Sequence, residues 1–237
     1  MSNSKLVSYT KLSPNKGTRR HKIDTVTIHC MAGNLSVETC GDMFAKKSVS
    51  ASSNYGIGSD GRIALYVPEE SRSWATSNVA NDDRAVTIEV ANDGGAPDWH
   101  VSDKAYSALI DLLVDICQRN GIAELKWKAD KSLIGKTDKQ NMTVHRWFAN
   151  KACPGNYLYN LHGQIASEVN ERLEDENMTQ EKFNEMLEVA LSEREKKKVS
   201  AWAKADWEQA TKAGIVDGTA PQGIMTREQY ASSQMRK

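Results

Sequence analysis

The run AVTIEVAN at residues 85–92 constrains the fold more than any other stretch of the chain. It is rich in β-branched residues, and its length is that of a buried strand. Yet Glu89 sits among its apolar neighbours, and a carboxylate there is costly unless it has a partner or a task. A second β-rich run, TVTI at residues 25–28, leads directly into His29. Between the two lies SNYGIGSDGRIALYV, which reads as two strands around Ser59-Asp60-Gly61, because Asp-Gly suits a tight hairpin turn.

Helical periods alternate with these runs. Ser36 is placed to cap a helix with Val37, Cys40, Met43 and Phe44 on one face. Ser102 opens a clearer one, with Ala105, Leu109, Leu112, Leu113 and Ile116 inward and Gly121 at its end. The polar segment 126–141 reads as a loop, and a last long helix is expected after Pro154, with Leu158, Leu161, Ile165, Val169 and Leu173 inward. Strands alternating with helices predict an α/β domain, a central mixed sheet flanked by helices. The boundaries expected are a domain over residues 1–173, a linker at 174–178 and a small helical C-terminal region at 179–237. In that region Phe183, Met186, Leu187, Ala190 and Leu191 form a helical stripe.

Composition narrows the class of function. No apolar run approaches the ~18 residues of a membrane span, and MSNSKLVSYTKLSPNKGTRR has no apolar segment of the secretory kind. The expectation is a protein made in the cytoplasm, whose four cysteines are thiols or ligands rather than disulfides. Lys+Arg and Asp+Glu are both 31, so no global field points to nucleic acid or membrane. Lys5, Lys11, Lys16, Arg19, Arg20 and Lys22 do precede the first acid, Asp24, although such runs are usually just solvated. From Glu174 onward 10 basic residues face 12 acidic ones, which excludes a polybasic anchor.

Chemistry enters with HRWFANKACPG at residues 145–155. On its own, a His and a Cys at this spacing are more often a core histidine and a turn cysteine. A catalytic zinc takes three protein ligands and leaves one position open. His145 and Cys153 could supply two, and His29, at the end of a strand, is the best-placed third. His21, His100 and His162 lie in polar or helical surroundings. Cys30 should face away from His29, because strand neighbours point to opposite faces.

The order and spacing of TIH (27–29), SNYGIGSDGRI (53–63), TIEVAN (87–92), HR (145–146) and KACPG (151–155) carry a resemblance. Over roughly residues 20–173 the chain resembles the zinc-dependent N-acetylmuramoyl-L-alanine amidases, a family shared by amidase-type phage endolysins and peptidoglycan recognition proteins. The resemblance implies Zn²⁺ held by His29, His145 and Cys153, with water in the fourth position. It implies hydrolysis of the amide between muramic acid and L-alanine, with Lys151 stabilising the oxyanion. Either Glu89 or Tyr55 would act as general base; Glu89 is favoured, with Tyr55 a donor to the water or the oxyanion, or else an ordinary packed aromatic. The partner implied is bacterial peptidoglycan, reached after release of an enzyme held in the cytoplasm, as an endolysin is. A non-catalytic peptidoglycan-binding protein of the same fold is the alternative, and a thiol-sensitive protein in which Cys153 is merely reactive is a third.

Two departures bear on specificity. Relatives often carry a second His or Thr after the first ligand and a Trp-His pair downstream, where this chain reads HCMAG and SWATSN. Trp74 is a candidate for lining the substrate groove, or plain core. The segment 202–231 resembles one S-layer-homology-type unit. Such units usually act in threes, so it is either a structural addition or a part of a homo-oligomer assembled through the C-terminal helices.

Overall fold

The structure is a computed structural model that describes residues 2–176, 180–223 and 235. In chain order the strands are β1 (Tyr9–Thr10), β2 (Lys16–Thr18), β3 (Thr25–Cys30), β4 (Tyr55–Ile57), β5 (Ile63–Leu65), β6 (Ser71–Ser73), β7 (Ala85–Val90) and β8 (Met142–Thr143). The helices are α1 (Val37–Phe44), α2 (Val79–Arg84), α3 (Asp103–Asn120), α4 (Gly155–Glu176), α5 (Gln180–Glu195) and α6 (Lys204–Lys212). Chain contacts divide after Glu176, into Met1–Glu176 and Asn177–Lys237.

In the first unit a six-stranded sheet runs β1-β5-β4-β7-β3-β8, and β2 pairs with β6 in a separate ribbon. The sheet is mixed for a local reason. A tight turn at Gly61, with φ +85°, joins β4 to β5 and makes that pair antiparallel. Strands separated by longer excursions, β3 with β7 and β7 with β4, pair in parallel. Val26, Ile28, Val86 and Ile88 project from one face of the two central strands onto α3 and α4, with Leu109, Leu112, Leu113, Leu158, Ile165 and Val169 opposite them. All ten are fully buried, and each such side chain stabilises the fold by about 1.5–3 kcal/mol. The other face is covered near α1 by Val37, Cys40, Phe44 and Tyr66. The expected α/β class and its flanking helices are therefore present.

Ser36 and Ser102 cap α1 and α3 by accepting from the backbone N–H groups of Thr39 and Ala105, and Gly121 closes α3 in the left-handed conformation. Some details differ from expectation. β3 runs one residue beyond His29 to Cys30, Met43 on α1 is exposed, and Leu161 on α4 is half-buried. Helix α4 continues past Leu173 through Glu176, into the stretch expected as a linker. Arg19, counted with a solvated basic arm, is buried. Its guanidinium donates to the backbone carbonyls of Glu69 at 2.7 Å, Asp83 at 2.7 Å and Ala85 at 3.0 Å, so it ties β7 and the segment before β6 together.

In the second unit neither α5 nor α6 has a buried residue. The stripe on α5 lies exposed at Phe183, Met186 and Leu187. The end of the proposed S-layer-type unit, TREQYA at 226–231, lies outside the described residues. No described helix is long and apolar enough to cross a membrane.

Candidate metal centre

Register builds the centre. β3 and β7 are adjacent and parallel with His29 opposite Glu89, so both side chains leave the same face at the same level. His145 follows β8, which pairs with β3 on its other side. Cys153 precedes α4 and is held by Arg146, whose backbone N–H donates to the Cys153 carbonyl at 3.1 Å and whose side chain donates to Ala152 at 2.6 Å. The result joins three remote segments. One donor atom from each of His29, His145 and Cys153 lies within 4.8 Å of the others. The Cys153 Sγ stands 3.4 Å from His29 Nδ1, and the two imidazole centroids are 5.1 Å apart.

The donor set fits a zinc ion on three counts. The ligand atoms of a tetrahedral Zn²⁺ stand roughly 3.3–3.6 Å apart, given Zn–N of ~2.1 Å and Zn–S of ~2.3 Å, and the measured 3.4 Å falls in that range. Burial pushes His29 down to about 3, with the charge of His145 adding to the effect. Burial and then Lys151 lower His145. Both imidazoles are therefore neutral at pH 7, the form that donates a lone pair. Finally, Nε2 of His145 is buried without a hydrogen-bond partner, a state that costs about 1–3 kcal/mol when nothing takes up the group. The thiol of Cys153 is held well above its ordinary value by its hydrogen bond with Cys30, by burial and by Glu89. A divalent cation reverses that preference by stabilising the thiolate.

Glu89 reaches within 3.8 Å of His29 Nδ1 through Oε1, and its side chain keeps 17% exposure. Burial, then the neighbouring Cys30 thiol, raises its carboxyl well above the usual range. Lys151 is exposed, and its charge is felt at His145, which puts an ammonium at the rim. Cys30 joins the main core, as alternation requires, yet its thiol also lies against that of Cys153, so it does not turn fully away from the centre as expected.

Tyr55 does not belong to this centre. It pairs with Ile88, whereas Glu89 pairs with Gly56, so its ring enters the α3/α4 core. There its hydroxyl donates to Glu69 Oε1 at 2.6 Å and accepts from the Ser4 N–H at 2.9 Å. The role of donor to the water or the oxyanion is corrected on that ground. Trp74 is half-buried and pairs with Ser52, donating its N–H to Oγ and accepting from the Ser52 N–H at its carbonyl, both at 3.0 Å. Neither bond involves the three ligands.

Sequence reasoning missed two neighbours. Tyr66 lies over Gly56, where a Cβ would meet its ring at 2.4 Å; its hydroxyl donates to the Val37 carbonyl at 2.7 Å. A glycine inside a strand signals such close approach. Trp99 lines a cavity of about 350 Å³ together with Ala32, Asn34, Asn92, Asp93 and Ala96. That cavity's lining begins two residues after β3 and β7 end.

Comparison with known proteins agrees with this geometry. Residues 19–156 match the family model described as N-acetylmuramoyl-L-alanine amidase. No curated protein sequence matches the chain. Among solved structures, a Staphylococcus aureus hydrolase, AmiA, superposes with TM-score 0.53 at 16% identity, over 70% of this chain and 82% of that one. AmpD does so with TM-score 0.52 at 17% identity, over 70% and 99%. PlyL gives 0.51 at 17% identity, over 68% and 95%. At these identities the likeness is one of fold.

Proposed function

The chain belongs to the N-acetylmuramoyl-L-alanine amidase family, peptidoglycan hydrolases that cut the amide between N-acetylmuramic acid and L-alanine, and from that premise we propose that it acts as a Zn²⁺-dependent enzyme through His29, His145 and Cys153. The observation that carries this reading is the convergence of two neutral imidazoles and a thiol from three remote segments within 4.8 Å. Bound there, Zn²⁺ would supply Lewis acidity, lowering the pKa of a coordinated water toward ~7 and polarising the scissile carbonyl.

The protein's own groups have separate tasks. Glu89 is the general base: it takes a proton from the attacking water and returns it to the amine of the departing L-alanine. Its raised carboxyl pKa suits a group that must both accept and donate. Lys151 offers a cation to the oxygen on which charge develops, and a preorganised donor of this kind is worth about 3–4 kcal/mol. His29, nearly enclosed, fixes one side of the centre, while the exposed rim at Lys151 leaves a path for the glycan-linked substrate. Trp74 is a groove residue at most distantly.

The biological role is that of a phage or prophage endolysin, made in the cytoplasm and meeting the wall after release. Residues 1–173 form the catalytic domain, and the helical region beyond the 174–178 segment serves in wall binding or self-association. The test is digestion of purified cell walls. New L-alanine amino termini should appear without new reducing sugars, chelation should abolish them, and Zn²⁺ should restore them. A His29→Ala protein that still cuts would sink the zinc reading, and intact walls with the wild type would leave a binding protein.

A further inference from the structure

The loop that walls the cavity past the ends of β3 and β7 also grips the turn that carries Cys153. Residues 92–100 close on themselves: Asp93 N–H donates to the His100 carbonyl at 2.8 Å, Trp99 N–H to Gly95 at 3.0 Å, and His100 Nδ1 lies 2.6 Å from Asp93 Oδ1. The closed loop then caps α4 from outside. The carbonyls of Pro97 and Asp98 accept from the first helical N–H groups, Asn156 at 3.1 Å and Tyr157 at 3.0 Å, and the His100 ring lies 4.4 Å from that of Tyr157.

Between these bonds sits Gly155, two residues from the thiol. It holds φ +83°, and a Cβ there would meet the Asp98 carbonyl oxygen at 2.7 Å and Trp99 Cβ at 2.8 Å. Trp99 itself adopts φ +56°, a conformation that a bulky L-residue takes only when its surroundings impose it. Its ring packs against the same main core that Cys153 and Tyr157 also join. Its buried Nε1 has no hydrogen-bond partner, so shape alone holds it. The turn that carries Cys153 is thus held by Arg146 at Cys153 itself and by the 92–100 loop at residues 155–157.

We propose that Trp99 is a positioning residue for Cys153: packed on Gly155, it fixes the turn so that the thiol points at His29, and it links the wall of the cavity to the metal centre. This rests on the zinc reading of the site. Only a thiol already aimed at the ion binds it without a cost in ordering the turn. Residues that orient metal ligands from outside typically contribute 10- to 100-fold in affinity, and loss of Trp99 should fall at about the lower end of that range.

The test uses the full chain loaded with Zn²⁺ or Co²⁺, with metal affinity measured by competition against a chromogenic chelator. Trp99→Ala should weaken Zn²⁺ binding about tenfold and diminish the near-ultraviolet thiolate-to-Co²⁺ absorption, with Trp99→Phe restoring both. Gly155→Ala should act in the same direction through its collision with Asp98. Leu109→Ala, a core variant far in sequence from the centre, controls for general loss of stability, and Trp99→Leu replaces Trp99→Ala if the latter does not fold. Affinity within twofold of wild type in the folded Trp99 variant, or an equal loss in Leu109→Ala, overturns the proposal. A wild-type protein that takes up no metal overturns the zinc reading instead, so the two failures are distinct.

Discussion

Glu89 and Tyr55 are both largely enclosed polar residues on central strands, and one position of register separates their fates. Glu89 lies opposite Gly56 and beside His29, on the face of the metal centre. Tyr55 lies opposite Ile88 and faces the helices. Paired substitutions separate them. Glu89→Gln should lower kcat by about 10²- to 10⁴-fold while Zn²⁺ content stays at the wild-type level. Tyr55→Phe should keep kcat and cost about 1–3 kcal/mol in urea unfolding, because Glu69 loses one of its donors in a dry place. A Tyr55→Phe enzyme that folds normally but hardly turns over would return Tyr55 to the mechanism. His29, Glu89 and Cys153 drew notice as polar or reactive residues in β-rich or turn settings, but their roles came from the family resemblance, because a His and a Cys at such spacing are ambiguous by themselves. The side on which Tyr55 lies was not, because a one-residue shift in pairing turns every side chain to the other face, and pairing belongs to two strands at once.

Elements were legible where their period is local. The apolar spacing of α3 and α4, the caps at Ser36 and Ser102, and the turn at Gly61 all follow from neighbouring residues, and the structure contains them. The 92–100 loop was not legible, because its shape depends on contacts with the start of α4, some sixty residues on. The face of α4 that meets the 126–141 loop carries a similar hidden detail at His162. Its Nδ1 donates to the Leu158 carbonyl at 2.6 Å, its ring stands 4.5 Å from Trp127, and its Nε2 has no partner. Burial pushes it down to about 4, the bond to Leu158 opposing and the charge of Arg146 assisting. In the unfolded chain the same imidazole titrates near ~6.5. As pH falls below that value the unfolded state takes the proton first, so the stability associated with neutral His162 is full above pH ~6.5 and drains away toward pH 4. The whole effect is about 3 kcal/mol. His162→Gln should therefore show a stability difference from wild type that changes by that order between neutral pH and pH 4, measured by denaturant unfolding. A difference constant with pH would mean that His162 titrates at the same pH in the folded and unfolded chain.

At the scale of the molecule the two units obey different rules. The first buries its apolar residues against one another on both faces of a sheet. The second leaves Phe183, Met186, Leu187 and Val189 between 44% and 60% exposed on one short helix. A 16-residue helix with no buried face is marginal alone in water, so this stripe needs a cover. We propose that a second copy of the chain supplies one. Glu181, Glu185 and Glu188 lie along the start of α5 and Lys197 and Lys198 follow its end, so antiparallel pairing of two copies would bring these opposite charges together. We expect the full chain to run by light scattering at about twice its 26.3 kDa or more, and Met186→Glu with Leu187→Glu to return it to a monomer. Removal of residues 178–237 should do the same and weaken wall binding, while Zn²⁺ content and turnover of a soluble muropeptide stay near wild type, because the core and the three ligands are untouched. A full chain that is monomeric at tens of micromolar, together with unchanged wall binding after the deletion, would leave α5 without a partner of its own kind.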